Sequence, residues 1–212
     1  MALRDYIDHT LLKATATSDQ IIDLCKEAKS HQFFAVCVNG CYVSLAKSEL
    51  EHSNVSVAAV IGFPLGAMST RSKLSEVRDC LDQGADEIDM VINIGKLKEG
   101  DQSYVEEEIA SIKKLIGNNT LKVILETCYL NEEEIRICCN LAMRAGADFV
   151  KTSTGFGTRG ATKEDVIIMK DVVREKVRIK ASGGIRDAQT AKEYIDLGVD
   201  RIGTSSGIEI VT

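Results

Sequence analysis

Eight short apolar runs, separated by polar segments of helical period, constrain this chain more than any other feature. They lie at Tyr6 to His9, Phe34 to Val38, Val57 to Ile61, Glu87 to Ile92, Lys122 to Glu126, Phe149 to Thr152, Arg178 to Ala181 and Arg201 to Thr204. Runs that are apolar throughout, rather than alternating, mark strands buried on both faces, as in parallel sheets. The segments between them carry helix-start signals. Ser18 precedes the apolar positions Ile21, Ile22 and Leu24, Asn131 opens a run of three glutamates, and Thr162 precedes Lys163-Glu164-Asp165. Eight strand–helix units in 212 residues predict a (β/α)8 barrel, with residues 1–212 forming a single domain. A doubly wound open sheet would ordinarily use fewer strands. No Gly/Ser/Pro-rich linker interrupts the alternation, and the single proline is Pro64.

A weak internal repeat sharpens the register. Gly84-Ala85-Asp86, Gly146-Ala147-Asp148 and Gly198-Val199-Asp200 each follow a helical segment and precede a strand. Glycine suits the left-handed exit from a helix. Three residues beyond each aspartate stand Asp89, Lys151 and Gly203, so equivalent units place these three at one level of the barrel.

Composition narrows the function. A formal net charge of −6 speaks against a general binder of nucleic acid or of anionic membranes, although it leaves room for a local phosphate site. No run reaches the roughly 20 apolar residues of a membrane span, and the start lacks a signal-peptide pattern, so a cytoplasmic protein is expected. Seven cysteines, mostly among apolar residues, read as buried small hydrophobes. They and the scattered His9, His31 and His52 form no metal-binding spacing, so no metal is expected; with no Gly-rich dinucleotide loop and no Walker sequence, no motif calls for an organic cofactor either.

Chemistry in such a barrel belongs at the C-terminal strand ends. Asp89, Lys151 and Lys180 are ionisable groups on apolar strands, the fourth, sixth and seventh. Each alone reads as a satisfied structural charge; together they can converge in one barrel mouth and partner one another. Two lysines on adjacent strands repel, so one loses its proton more easily than a free lysine. A neutral amine attacks a carbonyl and forms an imine, and a carboxylate handles the proton transfers. The residues alone do not decide which lysine attacks. The small turn Thr152-Ser153-Thr154-Gly155 leaves room for a substrate above Lys151.

A phosphate site is expected between the loops after the seventh and eighth strands, formed by Gly183, Gly184, Ser205 and Ser206 with Gly155 adding a close backbone approach. Asp8, Thr10, Cys37 and Thr152 are candidates for supporting roles. Glu126, read as the end of the fifth strand, either lines the pocket or holds a turn, and Arg71 reads as a solvated helix residue.

The most specific stretches are Glu87-Ile88-Asp89-Met90-Val91-Ile92-Asn93, Val150-Lys151-Thr152-Ser153-Thr154-Gly155-Phe156 and Ile179-Lys180-Ala181-Ser182-Gly183-Gly184-Ile185-Arg186. With Asp8-His9-Thr10-Leu11-Leu12-Lys13 and Gly203-Thr204-Ser205-Ser206-Gly207, they make nearly the whole chain resemble the class I, Schiff-base-forming deoxyribose-phosphate aldolase family. The resemblance implies a (β/α)8 fold and reversible cleavage of 2-deoxy-D-ribose 5-phosphate to D-glyceraldehyde 3-phosphate and acetaldehyde. It implies Lys151 as the imine-forming lysine, Lys180 as the residue that perturbs it, Asp89 as the proton relay, and the glycines and serines above as the phosphate cradle. It also implies a phosphorylated sugar as the partner molecule and a homodimer as the common assembly. The chain ends at Ile210-Val211-Thr212 without the C-terminal tyrosine of longer relatives, so another group or water is expected to assist proton transfer. Two other readings remain open at this level: a different phosphate-binding barrel enzyme with the lysines as charge stabilisers, and a non-catalytic sugar-phosphate sensor.

Overall fold

A computed structural model describes residues 2–212. Eight parallel strands close into a barrel in sequence order: β1 (Ile7–Leu11), β2 (Ala35–Asn39), β3 (Ser56–Ile61), β4 (Glu87–Val91), β5 (Thr120–Ile124), β6 (Phe149–Lys151), β7 (Arg178–Ser182) and β8 (Arg201–Thr204). The crossovers carry α1 (Ser18–His31), α2 (Val43–Glu49), α3 (Thr70–Asp82), α4 (Ile94–Lys98), α5 (Gln102–Ile116), α6 (Glu132–Arg144), α7 (Lys163–Val173) and α8 (Ala188–Asp196), and α9 (Gly207–Val211) follows β8. The larger apolar core lies between the ring and its helices, where Ile21, Leu24, Ile109, Ile112 and Leu141 pack on outward-facing strand residues such as Val36 and Ile179. Continuous apolar strands serve this design because both faces of the ring are covered.

Several boundaries differ from the sequence reading. The first strand runs to Leu11, two residues beyond His9. The fifth starts at Thr120 and stops at Ile124, which leaves Glu126 in the following turn. The cap of α1 is Thr17, whose side chain accepts the Gln20 N–H in a reciprocal capping box, rather than Ser18. Asn131 and Thr162 cap α6 and α7 through the N–H groups of Glu134 and Asp165.

The three glycine–aspartate triplets are register clamps. Gly84, Gly146 and Gly198 all have positive φ. The aspartate that follows each one reaches back to the preceding strand: Asp86 Oδ2 accepts the Val57 N–H at 2.9 Å, Asp148 Oδ2 that of Leu121 at 2.8 Å, and Asp200 Oδ2 that of Ile179 at 2.9 Å. Their own N–H groups donate to the carbonyls of the same three residues. Each triplet thus fixes one strand against its neighbour at the bottom of the barrel.

That register sets the levels at the top. Along each pairing, Glu87 lies beside Thr120, Lys122 beside Phe149, Lys151 beside Lys180 and Lys180 beside Arg201. Barrel shear moves the level up by two residues at every second strand. Cys37, Asp89, Lys151 and Gly203 therefore share one inward-facing layer. Asp8, Ala58, Lys122 and Lys180 form the layer beneath it, and Ala35, Glu87, Phe149 and Arg201 the lowest. Thr10 and Ser182 belong to the layer above. Asp89, Lys151 and Gly203 thus occupy equivalent positions, as the repeat implies. Asp148→Ala leaves the buried Leu121 N–H without its acceptor and is expected to lower stability by about 1–3 kcal/mol. Urea denaturation reads this directly, and a midpoint equal to the parent's would remove the clamp from the account.

Candidate active site

The barrel interior is charged where most cores are apolar. Three carboxylates, Asp8, Glu87 and Asp89, and four bases, Lys122, Lys151, Lys180 and Arg201, are buried within it. Asp89 is the hub. Its Oδ2 accepts from Lys151 Nζ at 2.8 Å and Lys180 Nζ at 2.9 Å, and its Oδ1 accepts from Lys122 Nζ at 2.6 Å. Below it, Asp8 accepts from Lys180 at 2.5 Å and from Arg201 at 2.6 Å. Glu87 lies 2.5 Å from Lys122 and 3.3 Å from Arg201. The Arg201 guanidinium then covers the Phe34 ring, with its carbon 3.1 Å from the centroid, where the bottom of the barrel closes.

Counting these groups identifies the weakest proton. Fully ionised, the interior would hold one unbalanced positive charge, which is costly in a low-dielectric core. Lys122, Lys180 and Arg201 each meet two carboxylates at 3.3 Å or closer, whereas Lys151 meets only Asp89. Burial lowers the Lys151 pKa, Asp89 opposes that effect, and the Lys180 ammonium adds to it, for a net fall. For Lys180, burial is overcome by Asp8 and Asp89, and the net shift is upward. Burial raises the Asp89 carboxyl, but Lys122, Lys151 and Lys180 together hold it well below the usual range. Gly203 makes the layer possible: a Cβ there would stand 3.0 Å from Lys180 Cε.

Above this layer opens a cavity of about 360 Å³, bordered at its floor by Lys151. Thr10, Gly155, Gly183, Gly184 and Ser205 line it, and the sequence reading named all five. A Cβ built at Gly155 or Gly184 would meet nothing within 4 Å, so both backbones border open space. Among the described residues, the N–H groups of Gly155, Gly183, Gly184 and Ser205 find no acceptor. Unpaired donors converging on a cavity suit an anion.

Other candidates lie elsewhere. Ser206 does not line the cavity, and its N–H donates to Thr204 Oγ1 at 2.9 Å. Thr152 faces out of the ring and ties β6 to β7, its hydroxyl donating to the Ser182 carbonyl and accepting the Ser182 N–H. Cys37 is inside the barrel in the Lys151 layer, packed with Leu12, Ala58 and Val60, and burial raises its thiol pKa. Glu126 holds a turn: its carboxylate accepts the N–H and hydroxyl of Thr154 and so anchors the loop above Lys151. Arg71 is exposed on α3. Among the described residues, no group of three His, Cys, Asp or Glu side chains is placed to hold a metal.

The trio read from the sequence does not balance by itself; Lys122, Glu87, Arg201 and Asp8 complete it. Lys122 opens its apolar run as read from the sequence, so its charge reads as a boundary, and only the strand's start at Thr120 puts it inside. Glu87 and Arg201 occupy the first strand positions, where a charged residue reads as a boundary. Arg186 and Lys13 also line the cavity. Both stand on loops, and nothing in their local sequence tells which way they face.

Comparison with known proteins identifies the family of this barrel. Residues 4–210 match the family described as DeoC/LacD family aldolase. A deoxyribose-phosphate aldolase of Finegoldia magna is 56% identical over 211 residues, covering 100% of this chain and 99% of the relative. One from Treponema denticola is 53% identical over 214 residues, covering 100% and 99%. The solved deoxyribose phosphate aldolase of Aeropyrum pernix superposes with a TM-score of 0.92 at 33% identity, covering 99% of this chain and 89% of that one. The chain belongs to the DeoC/LacD family of aldolases.

Proposed function

We propose that the chain cleaves 2-deoxy-D-ribose 5-phosphate reversibly to D-glyceraldehyde 3-phosphate and acetaldehyde, with Lys151 as the imine-forming amine. The observation that carries the assignment of Lys151 is its place in the charge network: it is the uppermost base, borders the cavity, and has one carboxylate partner where each of the others has at least two.

The open-chain aldehyde enters with its phosphate toward Gly155, Gly183, Gly184 and Ser205. Neutral Lys151 attacks the aldehyde carbon, and loss of water from the carbinolamine gives a protonated imine. A base removes the proton of the 3-hydroxyl. The C2–C3 bond breaks, its electron pair passes into the imine to form an enamine, and glyceraldehyde 3-phosphate leaves. Protonation of the enamine at C2 and hydrolysis then release acetaldehyde and restore the amine. Asp89 passes protons between the imine nitrogen, a water molecule and the Lys180 ammonium, a role supported by its hydrogen bonds to both Lys151 and Lys180. Lys180 keeps its charge because two carboxylates hold it, and that retained charge favours the neutral form of Lys151.

Seven free thiols, five of them buried, support a cytoplasmic location. Among the described residues, no helix is long and apolar enough to cross a membrane. The Aeropyrum pernix relative is described as tetrameric; we extend self-association, rather than a homodimer specifically, to this chain.

Acetaldehyde with borohydride is expected to leave a reduced ethyl adduct on Lys151, mapped by mass spectrometry and absent from Lys151→Ala. An adduct on Lys180 instead would reverse the assignment. The pH dependence of imine formation separates the neighbours. Lys180→Leu removes a cation, raises the Lys151 pKa, and is expected to move the acidic limb to higher pH. Asp89→Asn removes an anion, which moves the limb to lower pH, while kcat falls about 10²- to 10⁴-fold through loss of the proton relay. Shifts in the same direction would contradict the network described here.

A further inference from the structure

The phosphate cradle is built from neutral groups, yet a phosphate monoester carries nearly two negative charges at neutral pH. The charge network beneath cannot compensate it, because with Lys151 neutral its three remaining cations match its three carboxylates. Two cations line the cavity itself. Arg186 stands two residues after Gly184. Lys13 comes from the opposite end of the chain, two residues after β1. Ring closure pairs β1 with β8, setting His9 beside Thr204, so the loop that bears Lys13 adjoins the loop that bears Ser205.

This loop is held while its lysine is left free. The Asn39 amide donates to the Leu12 carbonyl at 3.4 Å, the Tyr42 hydroxyl donates to the Ala16 carbonyl at 2.6 Å, and the Ala16 N–H donates to the Lys13 carbonyl at 3.0 Å. Leu12 packs into the apolar cluster of Cys37, Ala58 and Val60. Among the described residues, no carboxylate lies within ion-pairing distance of the Lys13 ammonium. Most other lysines here are paired: Lys26, Lys47, Lys96, Lys98, Lys113 and Lys163 all have acidic partners. An unpaired cation on a fixed loop at the rim of an anion cradle is suited to a charged ligand.

We infer that Lys13 binds the substrate phosphate and sets the preference for phosphorylated over unphosphorylated deoxy sugars; this rests on the aldolase reading above. Lys13 takes no part in the bond-breaking steps, so its loss falls on KM rather than on kcat.

The test compares cleavage of 2-deoxyribose 5-phosphate with that of 2-deoxyribose. Lys13→Gln is expected to lower the ratio of the two kcat/KM values by about ten- to a hundredfold, as for loss of one hydrogen bond to a charged group. The loss should appear in KM for the phosphorylated sugar, and Lys13→Arg should restore most of the ratio. The salt dependence of KM should flatten in Lys13→Gln. An unchanged ratio, or an equal loss on both sugars, would overturn the assignment. Acetaldehyde trapping on the parent protein separates the two levels of inference: without a Lys151 adduct the aldolase reading fails, and with one a failed ratio test rejects Lys13 alone.

Discussion

One carboxylate shared among three lysine side chains organises this molecule. Asp89 alone could not balance Lys122, Lys151 and Lys180, so Asp8 and Glu87 lie below and take up most of what remains. A buried network of this kind is stable only if every member is satisfied, because an unpaired ion in a dry core costs several kcal/mol. The arrangement sets six groups within ion-pair distance of opposite charges and leaves the seventh with the least reason to hold its proton. Burial disfavours the charged form of this amine, and the single carboxylate it shares, opposed by the Lys180 ammonium, does not restore it.

The same network explains the demands on the fold. The charged side chains come from β1, β4, β5, β6, β7 and β8, and they meet only if all those strands keep register. A slip of one residue would turn Lys151 out of the barrel and into the helix layer. Aspartate clamps at the bottom and a hydrogen-bonded charge layer higher up are two expressions of one constraint. Gly203 belongs to it as well, since any side chain there would crowd Lys180.

Above the charged layers the construction changes. Loops, not strands, hold the cavity rim, and they are braced from outside the barrel. Glu126 anchors Thr154, while Asp165 accepts from Thr127 and Arg159 and so joins the loop after β5 to the one after β6. Phe63 and Phe156 meet edge to face at 5.4 Å and connect the loops after β3 and β6 on the apolar side of the mouth. A rigid charged floor under a rim of braced loops separates the reacting amine from the part of the site that grips the rest of the substrate.

By itself the sequence determined the eightfold alternation, the levels set by the three glycine–aspartate triplets, and the identity of Asp89, Lys151 and Lys180. These are local signals: an apolar run has a period, a charge inside one stands out, and the offset from a turn to a strand residue is a count along the chain. Lys122 escaped that rule, because the run reads from Lys122 itself and only the strand's start at Thr120 puts the charge inside. Which lysine gives up its proton, by contrast, was decided only by tertiary structure, because it depends on how many carboxylates each amine meets across the ring. Tertiary structure also turned Thr152 outward, left Ser206 out of the cavity lining, and brought Lys13 and Ser205 to one cavity. Those relations join residues far apart in the chain through barrel closure and shear, and no local pattern encodes the direction in which a loop side chain points.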